Sequence, residues 1–357
     1  APIITLFSDL SDLSPNLVRA TLVSGSAITG DVSDIGSSCE LFDIESNANI
    51  TGDVADIPDS MLYFKLRSGN TLHGDIADLP PNILDFRVYG SNTITGDIGN
   101  APVSAEYLNI HGNNTLYGDI SGVGINVTGL DIGGLNTLDG DLADLSVGIA
   151  RVYVEGHNTI YGDIADIPST VTYFYIGGDN TIEGNITDLK TGLKTFIIAG
   201  LNTITGDIAD IKATITYFFV AGYNAIAGNI ANLKTSMRTF SVSGFNTITG
   251  DIQNFPTGPT SVHLAGWNTL YGNIESLPAA TISSFSIYGY NIIGGTVNAT
   301  LYANNVIRIL GVGGYNTIAG DLSFIPVSIT QFSLSGYNVV DGYTAGRSFP
   351  AAMNYLN

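Results

Sequence analysis

The sequence predicts an all-β or β-rich solenoid of about 15 short coils. A Gly-Asp-Ile tripeptide or a close variant recurs at every 22nd residue from Gly30 to Gly272. Apolar residues alternate with other residues through the first half of each repeat, as in a strand with one buried face. No segment keeps the 3.6-residue period of a long helix. Because one repeat cannot bury its own apolar face, the repeats are expected to stack.

Each repeat predicts the same order of elements. In one unit, Phe196 and Ile198 predict a strand, and Gly206 marks a turn. An Asn follows the strand at an inward position, where we expect its amide to pair with backbone groups, because a buried unpaired amide is costly. This Asn column comprises Asn70, Asn92, Asn114, Asn136, Asn158, Asn180, Asn202, Asn224, Asn246, Asn268, Asn291, Asn316 and Asn338.

The unit resembles the leucine-rich repeat, whose pattern is L-x-x-L-x-L-x-x-N-x-L-x-G-x-I, over about residues 17–342. That resemblance implies a right-handed stack with a parallel β-sheet. The chain departs from the pattern in one respect, because the second strand residue precedes Asn by four positions rather than three, and the inserted step is nearly always Gly. A parallel β-helix is therefore the structural alternative. The matching residues of one unit are Phe174, Ile176, Asn180, Ile182, Gly184 and Ile186.

The repeat predicts one elongated domain over residues 1–342, about 70 Å long at the usual strand spacing. Beyond Gly272 the next glycines of the turn column are Gly295, Gly320 and Gly342, so the spacing lengthens at two successive steps before the regular one returns. The register is therefore disturbed near residues 292–306. Residues 343–357 are interpreted as the start of a C-terminal cap or of a further element, so the chain reads as a fragment or as part of something larger.

Composition excludes several classes of protein. The chain has 12 Lys and Arg against 32 Asp and Glu, a net charge of −20. Such a charge disfavours nucleic acid, and no apolar run is long enough for a membrane-spanning helix. An apolar content of 44% argues against a disordered acidic chain. Cys39 is the single cysteine, so no intrachain disulfide forms, and we expect it to be buried.

The sequence predicts no enzyme and no cofactor. It contains no nucleophile elbow, P-loop or zinc-protease motif. The Asp residues repeat as copies in two columns, one directly after the turn Gly and one three residues later. A catalytic pair instead needs carboxylates in unlike surroundings. We expect these residues to cap turns. Calcium is the alternative, because Ca²⁺ prefers several oxygen ligands; its candidate ligands are Asp163, Asp166, Asp207 and Asp210.

The variable positions of the strands predict the binding surface, which in leucine-rich repeats is the usual partner-binding face. The first coils carry Lys65, Arg67 and Arg87, and later coils carry an aromatic stripe. A contiguous exposed apolar strip usually marks an interface, so a protein partner or self-assembly is predicted, with a surface glycan as the alternative. The candidate binding residues are Tyr175, Ile197, Leu201, Phe219, Tyr223, Phe245, His263, Trp267, Tyr290, Tyr315 and Tyr337.

These features predict a non-enzymatic structural and binding protein located outside the cell, on a virion or at a cell surface. Segments such as residues 173–182 also resemble repeat tracts of phage tail or fibre proteins and of Bacteroidetes surface proteins, which implies host attachment or virion assembly. A bacterial adhesin is an alternative. The repeated Thr residues raise ice binding as another, and the Asp rows raise a solenoid polysaccharide-degrading enzyme.

Overall fold

The computed structural model describes residues 9–22, 28–44, 48–277, 281–297, 306–321, 329–336 and 339–341. The packing of the chain divides it into two compact units, Ala1–Thr181 and Ile182–Asn357. Within the described residues, every helical segment is a three-residue 3-10 turn, and each of these turns from Val32 onward directly follows a strand. One coil is therefore a strand, a corner, a second strand segment and a tight turn.

The described residues of the first unit form ten strands, the last of which crosses its boundary. They are β1 (Arg19–Leu22), β2 (Ile28–Asp31), β3 (Leu41–Ile44), β4 (Ala48–Asp53), β5 (Tyr63–Asp75), β6 (Asp85–Asp97), β7 (Tyr107–Asp119), β8 (Gly129–Asp141), β9 (Arg151–Asp163) and β10 (Tyr173–Asn185). The 3-10 turns of this unit are Leu10–Asp12, Val32–Asp34, Val54–Asp56, Ile76–Asp78, Ile98–Asn100, Ile120–Gly122, Leu142–Asp144 and Ile164–Asp166.

The second unit repeats this order. Its strands are β11 (Thr195–Asp207), β12 (Tyr217–Asn229), β13 (Thr239–Gly244), β14 (Thr247–Asp251), β15 (Ser261–Asn273), β16 (Ser284–Gly294), β17 (Thr296–Val297), β18 (Ile309–Asn316), β19 (Ala319–Asp321), β20 (Gln331–Gly336) and β21 (Val339–Asp341). Its 3-10 turns are Ile186–Asp188, Ile208–Asp210, Ile230–Asn232, Ile252–Asn254 and Ile274–Ser276.

The long strands bend once and take part in two parallel sheets. In the first sheet a residue pairs with its equivalent in the next repeat, as Phe64 does with Phe86. In the second sheet a residue pairs two positions before its equivalent in the next repeat. Thr51, for example, pairs with Thr71 rather than with His73. The pairing shifts at the corner between the two sheets, where the inserted Gly of the repeat lies beside Asn of the preceding coil. The extra step of the repeat is thus a corner bulge.

The core is a set of columns, each filled by one residue of every coil. Phe42, Phe64 and Phe86 are fully buried, with ring centroids 5.6 and 5.7 Å apart. In the second unit, Phe196, Phe218 and Phe240 form an equivalent column with ring centroids 5.6 and 5.8 Å apart, the first pair tilted and the second stacked. Each such side chain contributes roughly 1.5–3 kcal/mol of burial free energy, and neighbouring coils supply the surface against which it is buried.

The Asn column lies at the corner and joins three coils at each step. Asn158 is fully buried; its Oδ1 accepts the N–H of Leu138 at 2.9 Å, and its Nδ2 donates to the carbonyl of Gly177 at 3.0 Å. Every described Asn of the column from Asn70 to Asn316 accepts one such backbone N–H, at 2.9–3.3 Å. The predicted backbone role of these residues is confirmed, and Asn338 lies outside the described residues.

The Gly-Asp pair of the repeat forms the turn. Asp141 caps the 3-10 turn Leu142–Asp144, because its Oδ1 accepts the N–H of Ala143 at 3.0 Å. Gly162 of the next coil lies directly over that carboxylate with φ +111°, so a Cβ there would collide with Asp141 Oδ1. The predicted capping role is confirmed for the Asp directly after Gly, and Asn185 and Asn229 make the same hydrogen bond as Asp does elsewhere. Of the Asp column three residues later, Asp34 also accepts a backbone N–H, that of Asp31.

The predicted β-rich stack of parallel strands is confirmed. The disturbed register is visible as well, because Ser284 pairs with Ile309, whereas the regular spacing would pair it with Val306. Three extra residues therefore lie between β16 and β18, where residues 298–305 are outside the described part. One more precedes β16, because Ser261 pairs with Ser284 rather than with Ser283, so the disturbance begins before the predicted residues 292–306. Cys39 is buried as predicted, and burial raises the pKa of its thiol. The single domain over residues 1–342 stays a prediction, and residues 343–357 lie outside the described residues.

Candidate functional site

The predicted aromatic stripe forms an exposed column at the corner of the second unit. We use the name aromatic column for the residues that directly precede a buried Asn in the second unit, from Leu201 onward. Between a fully buried Asn and a Gly of positive φ, the side chain at this position points outward. Its described members and their exposed fractions are Leu201 49%, Tyr223 56%, Phe245 46%, Trp267 55%, Tyr290 50% and Tyr315 53%.

Members of the aromatic column contact each other along it. The rings of Tyr223 and Phe245 stack with centroids 5.9 Å apart, and Phe245 meets Trp267 edge to face at 5.4 Å. Tyr290 and Tyr315 stack at 6.0 Å. Self-stacking orders these rings but leaves about half of each exposed, so it does not account for their apolar surface. Tyr337, the last predicted member, lies outside the described residues.

The other predicted binding residues lie on the outer face of the first sheet rather than at the corner. Ile197 and Phe219 are half-buried and pair directly in neighbouring strands. His263 is exposed beside Tyr288, 6.0 Å between ring centroids, and partial burial lowers the pKa of its imidazole. Tyr175 stacks on Tyr153 at 4.4 Å. The prediction therefore combined two distinct surfaces, a strand face and a corner column.

A charged and aromatic network on the first-sheet face of residues 1–181 was largely missed by the sequence analysis. Asp85 is 8% exposed and anchors two cations, with Lys65 Nζ at 2.8 Å from its Oδ2 and Arg87 Nε at 2.6 Å from its Oδ1. The Arg87 guanidinium also lies over the ring of Tyr107, 4.1 Å from the centroid. The hydrogen bonds that Arg87 donates to Asp85 raise the pKa of Arg87.

A second part of the network surrounds Asp131, which is 4% exposed. Its carboxylate binds His111 Nε2 at 2.8 Å and Arg151 Nε at 2.9 Å. Burial raises the pKa of Asp131, but the hydrogen bonds from these two side chains outweigh it and hold that pKa below its ordinary value. Arg151 lies over Tyr173 at 3.9 Å, repeating the arrangement of Arg87.

Glycines among the variable positions make room for this network. A Cβ at Gly129 would collide with the ring of Tyr107, and one at Gly133 would lie 2.6 Å from His111 Nδ1. The large side chains of one coil thus lie over the glycines of the next. The signal available in the sequence was this alternation of Gly with large polar residues, but the partners lie one repeat apart and become neighbours only through the strand register.

Comparison with known proteins identifies the fold. No protein-family model and no curated protein matches the sequence. Among solved structures, the plant peptide hormone receptor RGFR1 in complex with RGF2 is 16% identical, with a TM-score of 0.54 over 91% of this chain and 68% of that one. A TDR receptor is 18% identical, with a TM-score of 0.57 over 93% and 61%. The fold is a leucine-rich-repeat-like solenoid.

Two further matches are more distant. The leucine-rich-repeat ectodomain of the receptor kinase GASSHO1/SCHENGEN3 from Arabidopsis thaliana is 15% identical, with a TM-score of 0.48 over 94% of this chain and 55% of that one. A plant ice-binding protein is 21% identical, with a TM-score of 0.39 over 59% and 72%. The chain thus spans about two thirds or less of the length of the three receptors.

In this leucine-rich-repeat-like fold, the Asp that directly follows the turn Gly caps the turn, whereas the Asp three residues later does not in these coils. Asp163 and Asp207 accept the N–H groups of Ala165 and Ala209 at 2.8 Å, whereas Asp166 and Asp210 are exposed. In the part of the chain that the structure describes, no three His, Cys, Asp or Glu side chains lie close enough together to hold a metal ion. The calcium alternative has no support from this geometry.

The outer face of the second sheet carries the Thr residues, which are exposed but do not form a regular array. Because the register of this sheet is offset from the repeat, each Thr faces the variable residue of the preceding coil. Tyr117 pairs with Thr137, and Asp139 pairs with Thr159. Bulky and charged side chains interrupt the hydroxyl rows that ice binding requires.

Across the described residues, no helix has the length and apolar character of a membrane span.

Proposed function

We propose that this protein is a non-enzymatic binding protein that recognises a protein or peptide partner through the aromatic column. The carrying observation is the run of six exposed large apolar side chains, Leu201 to Tyr315, at one position of consecutive coils. The core does not need them, because the buried Asn after each member and the apolar residues of the flanking strand segments fill the interior. A contiguous exposed apolar surface of this kind marks an interaction site, because its burial by a partner is favourable.

The composition of the column supports a protein or peptide partner. Tyr and Trp supply large contact areas at low cost in side-chain entropy, and they dominate the binding energy of many interfaces. The stacked rings of Tyr223 and Phe245 are already ordered before any partner binds. A similar fold in the receptor RGFR1, solved in complex with RGF2, is compatible with a partner of this class.

We infer that the protein acts outside the cell. The repeat tracts that resemble phage fibre and Bacteroidetes surface proteins leave two settings, a virion fibre that attaches to a host and a bacterial adhesin. Neighbouring genes distinguish them. Capsid and tail genes beside the coding sequence would favour the virion, and a secretion or anchoring gene would favour the cell surface.

The test uses peptides selected from a random display library against the whole protein. Phe245→Ala and Trp267→Ala should each weaken binding of the selected peptides at least about tenfold, the effect of losing a central aromatic anchor. Tyr271→Ala is the matched control, because Tyr271 is 52% exposed, close to the 55% of Trp267, but lies in another column of the same coil. That variant should bind as the parent does.

Two results would contradict the proposal. Unchanged peptide affinity in the Phe245→Ala, Trp267→Ala double variant would remove the aromatic column from binding, provided that thermal melting shows the variant folded. A change of sedimentation coefficient in that variant, without peptide, would instead identify a second copy of the chain as the occupant.

A further inference from the structure

The basic residues of the first unit are concentrated on one face. Residues 1–181 contain 24 Asp and Glu residues but only five Lys and Arg residues. In each coil only three positions, such as those of Tyr63, Lys65 and Arg67, project from the outer face of the first sheet. All five basic residues occupy such positions; they are Arg19, Lys65, Arg67, Arg87 and Arg151.

Three of these cations line a cleft of about 240 Å³ together with Tyr89. All four side chains carry hydrogen-bond donors: an ammonium, two guanidinium groups and a hydroxyl. The Tyr89 hydroxyl is hydrogen-bonded to the side-chain amide of Asn109, which fixes its position at the cleft. A cleft surrounded by donors and cations is complementary to an anionic group of small size, such as a carboxylate.

The cations are held in place before any ligand arrives. Arg87 donates through Nε and Nη2 to the buried Asp85, at 2.6 and 2.9 Å, and its flat face covers Tyr107. Two of its five N–H groups are thereby used, which leaves three on the outer edge. Because the rotamer is already fixed, a ligand that binds this edge loses little side-chain entropy in the protein.

The same device occurs three coils further along the same unit. Arg151 donates to the buried Asp131 and covers Tyr173. Three strand spacings separate the coils of Arg87 and Arg151, about 14 Å. An extended peptide covers about 13 Å in four residues and presents residues i and i+4 on one side. Between these two coils the carboxylates of the face are already engaged, because Asp85 and Asp131 lie beneath the cations and Glu155 accepts the Tyr153 hydroxyl.

We propose that this face binds an extended acidic peptide segment, with one carboxylate in the cleft of Lys65, Arg67, Arg87 and Tyr89 and a second at Arg151. The inference rests on the proposed function only in taking the partner to be a protein or peptide. It adds a chemical requirement, acidic side chains four residues apart, that the aromatic column does not impose.

The probe is the blocked peptide Gly-Glu-Ser-Gly-Ser-Glu-Gly, titrated into the whole protein at low salt by calorimetry. Saturable binding is expected, and it should be lost when both Glu are replaced by Gln and weakened when they are placed side by side. Arg67→Gln should weaken binding about tenfold and Tyr89→Phe about threefold, since each removes a donor from the cleft. Lys194→Gln, an exposed lysine outside this face, is the matched control for the loss of one positive charge.

Several outcomes would overturn the inference. Equal binding of the Glu and Gln peptides, no binding at all, or an equal loss in Lys194→Gln would each do so. Tighter binding of oligogalacturonate, reduced by Arg67→Gln, would assign the cleft to an acidic polysaccharide instead of a peptide. Because the aromatic column is tested with other residues and other peptides, failure here is distinguishable from failure of the proposed function. Arg67 and Tyr89 variants avoid removing a partner of Asp85, so folding is expected to be retained.

Discussion

A single Asn side chain in each coil determines whether neighbouring coils can be joined at the corner. Asn158 satisfies one backbone N–H in the coil before it and one carbonyl in the coil after it, with no exposure to water. Water cannot replace the amide there, because the site is buried. The residue is therefore needed for structure at every repeat, and its recurrence carries no information about a partner.

We expect Asn158→Ala to lower the free energy of unfolding by about 2–4 kcal/mol, because it leaves the N–H of Leu138 and the carbonyl of Gly177 buried and unpaired. Thr159→Ala, at the exposed neighbouring position, should change it by less than about 0.5 kcal/mol. Urea denaturation followed by circular dichroism measures both. Equal destabilisation by the two variants would argue against the ladder.

Asp131 makes the folding stability of the protein depend on pH. Its folded pKa lies below the ordinary 3.8, as the hydrogen bonds from His111 and Arg151 outweigh burial. A carboxyl with a lowered folded pKa stabilises the protein above its unfolded pKa, and this contribution disappears as pH falls through the folded pKa. Asp131→Asn should therefore reduce stability at pH 7 by roughly 1.5–3 kcal/mol, the usual contribution of hydrogen bonds to a charged group, and flatten the acid limb of stability below about pH 4. The exposed Asp179→Asn should do neither.

At the scale of the element, the turn explains why Gly and Asp recur together. Each Asp caps its own 3-10 turn, and the Gly of the next coil must leave space above that carboxylate. The two residues are adjacent in sequence but serve different coils. The tripeptide was readable as a turn signal, whereas its tertiary function, Gly over the preceding Asp, required the stacked structure.

Gly162→Ala tests this element. The backbone there has φ +111°, and the new Cβ would collide with Asp141, so a loss of more than about 2 kcal/mol is expected. Gly148→Ala is the matched control, because a Cβ there meets only Ser146 Oγ, at 3.9 Å. Thermal melting of the two variants compares them, and similar melting temperatures would show that the turn tolerates a side chain.

At the scale of the whole molecule, ten of the 32 acidic residues behind the charge of −20 are Asp residues seen to cap turns in the described residues, copied from coil to coil. Neighbouring coils place like carboxylates roughly one strand spacing apart, where each pair repels by about 1 kcal/mol in water. This part of the charge is thus a consequence of repetition. The few cations that are not copied, such as Arg87 and Arg151, carry the more specific information.

Salt should stabilise the protein. Raising NaCl from about 10 mM to about 300 mM shortens the Debye length and screens the repulsion between capping carboxylates, so the melting temperature should rise by several degrees. The triple variant Asp75→Asn, Asp97→Asn, Asp119→Asn should show a smaller rise with its caps intact, because Asn185 and Asn229 already cap turns. A melting temperature that falls with salt would mean that ion pairs such as Lys65–Asp85 dominate instead.

The sequence by itself determined the coil. The constant spacing of the turns, the alternating apolar residues and the inward Asn each have one physical solution, a stack in which neighbours bury what one coil cannot. The exposure of Tyr223, Phe245 and Trp267 followed from their place beside the buried Asn, so most of the aromatic column was predictable as well.

Only the tertiary structure decided which variable side chains meet. Arg87 lies over Tyr107, and His111 reaches Asp131, each from one coil to the next. These contacts depend on side-chain direction and on strand register, which follows the repeat in the first sheet but is offset from it in the second. Periodicity defines the columns of a repeat, whereas the contacts between columns are set by how the chain bends at each corner.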